Sequence, residues 1–265
     1  MITVRHPYLD HPAPLAFAHR GGAADGLENT ATAFRRAVAA GYRYLETDVH
    51  ATSDGKLVAF HDATLDRVTD ARGAIGALPW RSVRRARVAG REPLPLLEEL
   101  LEEFPQAHWN VDVKAEAALE PLLALLRRAG AWDRVCVGSF SEARAARARR
   151  LAGVRLATSL GVRGVAGLRL RSYGRGRLPL DRLLGAAVRR DAVCVQVPAR
   201  QSGVRVVDPL FLRAAHAHGL QVHVWTVNDA RQMESLLDLG VDGIMTDRIE
   251  TLRTVLAGRG AWVPA

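Results

Sequence analysis

His19 and Arg20 end one short apolar segment of this chain, LAFAHRGG. Glu46 and Asp48 sit two residues apart in a second, YLETDV, and Asp112 and Lys114 two apart in a third, WNVDVK. His61-Asp62 closes a fourth, LVAFHD. Side chains two apart on a strand share a face, so each spaced pair points one way. If those faces turn inward at one end of a barrel, three carboxylates, two imidazoles and two cations meet. Three separate carboxylates suit a hard divalent cation, Mg²⁺ or Ca²⁺, which takes oxygen ligands. Zinc would recruit the histidines themselves. Left unligated, His19 and His61 suit acid–base work near neutral pH. Arg20 and Lys114 suit the nonbridging oxygens of a phosphoryl group. Together these are the requirements of phosphodiester cleavage. Placement gives the reading its force, because charges at the ends of apolar strands are costly to bury without a charged ligand or metal. His6, His11, His50, His108, His216, His218 and His223 read as structural.

Nine β-branched or apolar runs must position these groups: 15–19, 44–49, 57–61, 109–114, 134–139, 154–159, 192–197, 220–227 and 241–246. Between most of them lie segments of helical periodicity closed by Gly, such as TATAFRRAVAAG and LEPLLALLRRAG. Strand–helix alternation along the whole chain implies a parallel sheet covered by helices. Residues 50–56 are too few for a crossover helix, so 44–49 and 57–61 read as a hairpin, with a short extended crossover as the alternative. An Asp54-Gly55 two-residue tip sets His61 opposite Asp48. The other eight strands then form a closed (β/α)8 TIM barrel, an α/β fold in a single domain over 1–265, with its active site at the C-terminal face. Segments 62–93 and 160–191 fall outside the alternation. Within the second, 161–177 carries five Arg and no acid and reads as a solvated loop or a lipid-facing one.

Composition narrows the class. The 265 residues are 48% apolar and 25% charged, as in an ordinary globular protein. No apolar stretch approaches the roughly 18 residues of a membrane span, so no stable membrane insertion is expected. The opening MITVRHPYLDHPAP has no apolar h-region, which points to the cytoplasm. Cys136 and Cys194 lie in apolar runs and read as buried free thiols. A net charge of +9, from 35 Arg and 2 Lys against 28 acids, reflects coding bias or an anionic partner. A basic nucleic-acid-binding protein would interleave clustered Arg with aromatics. Aromatics are only 6% and the arginines are scattered, so the expected partner is a small molecule and not nucleic acid.

In order along the chain stand AHRG (18–21), Glu28-Asn29-Thr30, Glu46-Thr47-Asp48, a DG turn with HD (61–62), NVDVK (110–114), SF (139–140), VWTVN (224–228) and GVDGIMTD (240–247). This ordered set resembles the glycerophosphodiester phosphodiesterase family, among the barrel phosphodiesterases related to phosphatidylinositol phospholipase C. The resemblance implies hydrolysis of glycerophosphodiesters to glycerol 3-phosphate and an alcohol. Carried over, it makes His19 and His61 the catalytic pair and Glu46, Asp48 and Asp112 the ligands of one divalent cation. Arg20 and Lys114 become phosphate contacts, with Glu28 and Trp225 lining the site. Asn29-Thr30 also reads as a helix N-cap, and Trp225 as core packing or an apolar wall. The expected route runs through a cyclic phosphate, with one histidine as base and the other as acid; His19 is assigned as base and His61 as acid, an order that the sequence leaves open. A lysophospholipase D acting on lyso-phospholipids at a membrane surface, docked by 161–177, is the alternative.

Two positions depart from the family pattern. Asp112 stands where family members carry Glu, with roughly 1.5 Å less reach against a metal–oxygen distance of about 2.0–2.6 Å. Arg248 stands where Pro commonly follows the closing Asp. The segment after HD is also short, which predicts a reduced cap.

Overall fold

The computed structural model describes residues 6–12, 14–173 and 192–265. All nine expected strands form: β1 (Leu15–Ala18), β2 (Tyr44–Ala51), β3 (Leu57–Ala59), β4 (His108–Val113), β5 (Val135–Gly138), β6 (Ala157–Thr158), β7 (Cys194–Pro198), β8 (Gln221–Trp225) and β9 (Gly243–Thr246). Eight of them run parallel in the order β6-β5-β4-β2-β1-β9-β8-β7. A single parallel bridge, Ser159 to Cys194, joins the two ends of that row. The result is an eight-stranded (β/α)8 barrel whose seam lies between β6 and β7.

β3 lies outside the ring, antiparallel to β2, with Val49 opposite Ala59 and Ala51 opposite Leu57. The hairpin is as expected, but its register is one residue off. Phe60, not His61, stands level with Asp48, and the Phe60 N–H donates to the Asp48 carbonyl at 2.9 Å. The cause is a longer tip. Thr52 N–H donates to the Lys56 carbonyl at 2.9 Å, which leaves Ser53-Asp54-Gly55 as a three-residue loop with Gly55 at φ +78°. The Thr52 hydroxyl selects this loop by donating to Asp54 Oδ1 at 2.6 Å and accepting from Lys56 N–H at 2.9 Å. His61 therefore stands beyond the ladder, where the chain bends, and its carbonyl accepts from His50 Nε2 at 3.1 Å.

The barrel interior is graded. Its lower half is apolar, filled by Leu15, Phe17, Tyr44, Cys136, Cys194 and Met245, and plugged by Tyr8 and Leu9 from a 3-10 turn. The Tyr44 hydroxyl fixes the plug by donating to the Tyr8 carbonyl at 2.7 Å. Both thiols are buried and free, as expected. Two residues further up β2 than Tyr44 the same face carries Glu46, and two further Asp48. The charged groups thus gather at the C-terminal mouth.

Helices cover the outside. Thr30 caps Ala31–Ala39 by accepting the Ala33 N–H on its hydroxyl, as its sequence position suggested. Phe34 of that helix packs edge-on against Trp109 of β4, their ring centroids 4.9 Å apart. The Arg-rich stretch expected to be a loop is a helix over Val162–Tyr173. Gly164 and Gly167 are buried with Leu168 on its inner face, where small residues permit close approach. Residues 174–177 of that stretch lie outside the described residues. The segment after β3 folds over a small core of its own, which includes Phe60, Leu65, Ile75 and Val88.

One backbone position ties the first helix to the mouth. Gly21 has φ +83°, and a Cβ there would stand 2.8 Å from Ala33 Cβ and 3.0 Å from the Phe34 nitrogen. Left-handed geometry costs a non-glycine residue roughly 1–2 kcal/mol, and overpacking against backbone about 1–3 kcal/mol more. Gly21→Ala is expected to lower the unfolding free energy by more than about 2 kcal/mol, measured by urea titration followed by circular dichroism.

Candidate active site

At the C-terminal end of β1 the chain turns sharply. Arg20 takes φ 51° and ψ 31°, which points its N–H at Glu46 Oε2, 3.0 Å away. Its side chain crosses the mouth, with Nη1 donating to Glu28 Oε1 at 3.1 Å. Arg20 Nε lies 3.1 Å from Asp48 Oδ2. That contact lacks hydrogen-bond angles, so it is an ionic attraction and not a directed bond.

Both predicted catalytic histidines are held at Nδ1 by a carboxylate. His19 Nδ1 donates to Asp247 Oδ1 at 2.7 Å, and His61 Nδ1 to Asp62 Oδ1 at 2.6 Å. A carboxylate only accepts, so Nδ1 carries the hydrogen in each ring and Nε2 is left for the site. Asp247 is itself fixed by Asn228, whose Nδ2 donates to Oδ2 at 2.8 Å. Arg67 grips Asp62 at both oxygens, 2.6 and 3.1 Å away. Hydrogen bonds from Arg67, joined by His61, hold the Asp62 carboxyl down at about 2.

Glu46, Asp48 and Asp112 are only 4%, 2% and 9% exposed. Their surroundings differ. Asp48 meets Lys114 Nζ at 2.8 Å and accepts from Asn29 Nδ2 at 3.1 Å. Burial opposes its charge, but Lys114 and Arg20 outweigh burial and keep its carboxyl below the ordinary value. Asp112 accepts from the same Lys114 Nζ at 2.7 Å. Glu46 is short of positive partners. Burial first, and then repulsion from Asp48, push its carboxyl up to about 7. A cation belongs where that charge is uncompensated, and an all-carboxylate donor set suits a hard one. Among the described residues, no three His, Cys, Asp or Glu side chains close on one point as they stand. The Lys114 ammonium occupies the space between Asp48 and Asp112. Glu46, Asp48 and Asp112 are the side chains that would hold such an ion, and Lys114 Nζ is paired with two of them, Asp48 and Asp112.

Every site residue expected from the sequence therefore stands at this mouth. Glu28 does so as a partner of Arg20 and Arg67, closed in between the two guanidinium groups. Trp225 belongs to both of its readings, packing on the inner apolar cluster and lining a cavity of about 340 Å³ beside Asp112. That cavity is walled by Phe140, Leu160, Val165 and Val197, with Phe140 edge-on to Trp225 at 5.7 Å between centroids. Sequence reasoning gave no role to Asp62, Arg67, Asn228 and Asp247. Asp62 carried a signal, being an acid directly beside a site histidine. Asp247 is 228 residues from His19 and offered none beyond its motif.

A parallel barrel with two tethered imidazoles, buried carboxylates and two cations at its C-terminal mouth fits a phosphoric diester hydrolase. The comparisons agree. The model of the glycerophosphoryl diester phosphodiesterase family matches residues 19–251, and the chain belongs to that family. A protein of Mycobacterium tuberculosis assigned as glycerophosphodiester phosphodiesterase 2 is 43% identical over 257 residues, covering 96% of this chain and 95% of that one. Human lysophospholipase D GDPD1 is 27% identical, covering 90% of this chain and 85% of its own. A solved structure from Silicibacter pomeroyi, assigned to the same class, superposes with a TM-score of 0.79 at 24% identity over 98% of this chain and 99% of that one.

His19 offers a pH handle on the geometry. Burial disfavours its protonation, but the Glu46 and Asp247 carboxylates outweigh burial and raise its pKa. The folded protein thus binds this proton more tightly than the unfolded chain does. The resulting stabilisation is present below the unfolded value of about 6.5 and is lost as pH rises through the folded pKa. Asp247→Asn removes one of the raising charges. In the metal-free protein the His19 midpoint is expected to fall, as read by NMR titration of its imidazole; an unmoved midpoint would contradict the pairing.

Proposed function

We propose that this enzyme cleaves glycerophosphodiesters to glycerol 3-phosphate and an alcohol in the cytoplasm, through a cyclic phosphate made and opened by His19 and His61. The observation that carries the reading is the pair of imidazoles, each tethered at Nδ1 with Nε2 left over, beside Arg20 and Lys114. In the first half, His19 Nε2 takes the proton of the glycerol 2-hydroxyl as that oxygen attacks phosphorus. The bond from phosphorus to the alcohol oxygen breaks, and His61 Nε2–H supplies the proton the alcohol needs. His61 suits the acid's role because its side chain is 34% exposed at the rim, where an alcohol can depart. In the second half, water attacks the cyclic phosphate and the proton roles reverse. Arg20 and Lys114 bind phosphoryl oxygens, and Lys114 does so on releasing a carboxylate. A divalent cation, Mg²⁺ or Ca²⁺, held by Glu46 and Asp48 with Asp112, would offset charge on the phosphoryl oxygens.

General acid–base contributions run to about 10²–10⁴-fold. His19→Ala and His61→Ala are each expected to lower kcat on glycerophosphocholine by that order. EDTA is expected to abolish activity and added Mg²⁺ or Ca²⁺ to restore it. Near-normal turnover in either variant, or full activity in EDTA, would overturn the assignment.

One observation favours a second substrate class, the lyso-phospholipids. The 340 Å³ cavity beside Asp112 is walled mainly by apolar side chains, and its size lies in the range of ligand pockets, about 300–1,000 Å³. An acyl chain on the glycerol suits such walls better than a charged head group does. Among the described residues no helix is long and apolar enough to cross a membrane, so such a substrate would be drawn from a lipid surface or from solution. Val165→Trp, which fills the cavity, is expected to depress activity on lysophosphatidylcholine at least tenfold while sparing glycerophosphocholine. Equal effects on both substrates would remove the cavity from the account.

A further inference from the structure

Resting on the reading of His61 as the acid, we infer that Arg67 is the positioning residue that aims it. His61 stands beyond the β2–β3 ladder on a bend, and among the described residues its ring takes one hydrogen bond, from Nδ1 to Asp62 Oδ1. The aim of the imidazole is therefore only as good as the aim of Asp62. Asp62 lies at the rim too, and Arg67 is what holds it.

The Arg67 guanidinium uses both of its edges. Nε donates to Asp62 Oδ2 at 2.6 Å and Nη2 to Asp62 Oδ1 at 3.1 Å. On the other edge, Nη1 donates to Glu28 Oε2 at 3.1 Å and Nη2 to Glu28 Oε1 at 2.6 Å. Two bidentate forks fix a plane as no point charge can. Glu28 Oε1 also accepts from Arg20 Nη1 at 3.1 Å. One guanidinium thus locks the carboxylate behind the acid to the carboxylate behind the phosphate-binding arginine. Arg67 is 49% exposed, yet each of its nitrogens is engaged by a carboxylate. A substrate contact would have to break that arrangement, so Arg67 acts through His61 and Arg20. Its own backbone is steadied by the small core of the segment after β3, where its near neighbour Leu65 is buried.

A positioning role leaves a signature that general damage does not. Expulsion of choline as an alkoxide needs a proton from His61, whereas expulsion of p-nitrophenolate does not. The enzyme, supplied with divalent cation, is assayed on glycerophosphocholine and on the p-nitrophenyl ester of glycerol 3-phosphate, each in a single turnover that follows release of the alcohol or phenolate and so reports the first half alone. A displacement of about 1 Å can cost about 10²-fold. Arg67→Ala is expected to lower the rate of choline release by that order, with KM changed less than about threefold, and the rate of p-nitrophenolate release by less than about threefold. Arg67→Lys, lacking the fork, is expected to recover little, while added guanidinium recovers part of the Arg67→Ala loss. Should Arg67→Ala fail to fold, Arg67→Lys carries the same comparison, with melting temperature as the check. His61→Ala separates the two layers of the argument. Equal losses on both substrates in His61→Ala overturn its role as acid. Discrimination by His61→Ala without discrimination by the Arg67 variants overturns the role given to Arg67.

Discussion

Carboxylates buried at the mouth of a barrel must be compensated, and most of this site follows from how that is done. An unpaired buried charge is among the most destabilising features a fold can carry. Here the signs alternate in an unbroken series: Asp112, Lys114, Asp48, Arg20, Glu28, Arg67, Asp62 and then His61. Each member is paired in charge with its neighbours. The left-handed turn at Arg20, the close packing of Gly21 on the first helix and the bend after β3 all serve to deliver a charge to its place in that series. Glu46 alone stands to one side, facing His19 across 3.8 Å, and its raised pKa marks where the compensation is incomplete.

Much of this was legible in the sequence. Period-two spacing put Glu46 with Asp48 and Asp112 with Lys114, because a strand leaves a side chain no other choice of face. Helical periodicity found the covering helices, and the Ser53–Lys56 run announced a hairpin. What escaped depended on side chains acting outside their own segment. The Thr52 hydroxyl, by bonding Asp54 and Lys56, lengthened the turn by one residue and moved Phe60 opposite Asp48. The Arg-rich stretch from 161 looked like a loop, and Val162–Tyr173 is instead a helix that buries Gly164, Gly167 and Leu168. Asp247 reaches His19 only because the last strand of the barrel lies beside the first, a closure that no local pattern contains.

Lys114 explains why Asp112 reads ambiguously as a ligand. The ammonium bridges Asp48 and Asp112 and so does in the metal-free molecule part of what a cation does elsewhere. Only two lysines exist in a chain of 35 arginines, and one is in this place. An ammonium on a flexible stem is a point charge, whereas Arg67 is held in a plane by two forks.

The seam between β6 and β7 carries a consequence of its own. Seven of the eight junctions around the ring are strand ladders, while this one is a single bridge at Ser159 and Cys194. Ser159, Leu160, Gln196 and Val197 beside it all line the apolar cavity, which reaches the charged series at Asp112. Few hydrogen bonds cross the seam, so it is the natural place for the ring to open locally. The cavity thus borders the least-laddered junction of the ring among the described residues, while β1, β2 and β4, which carry most of the charged series, are joined by ladders.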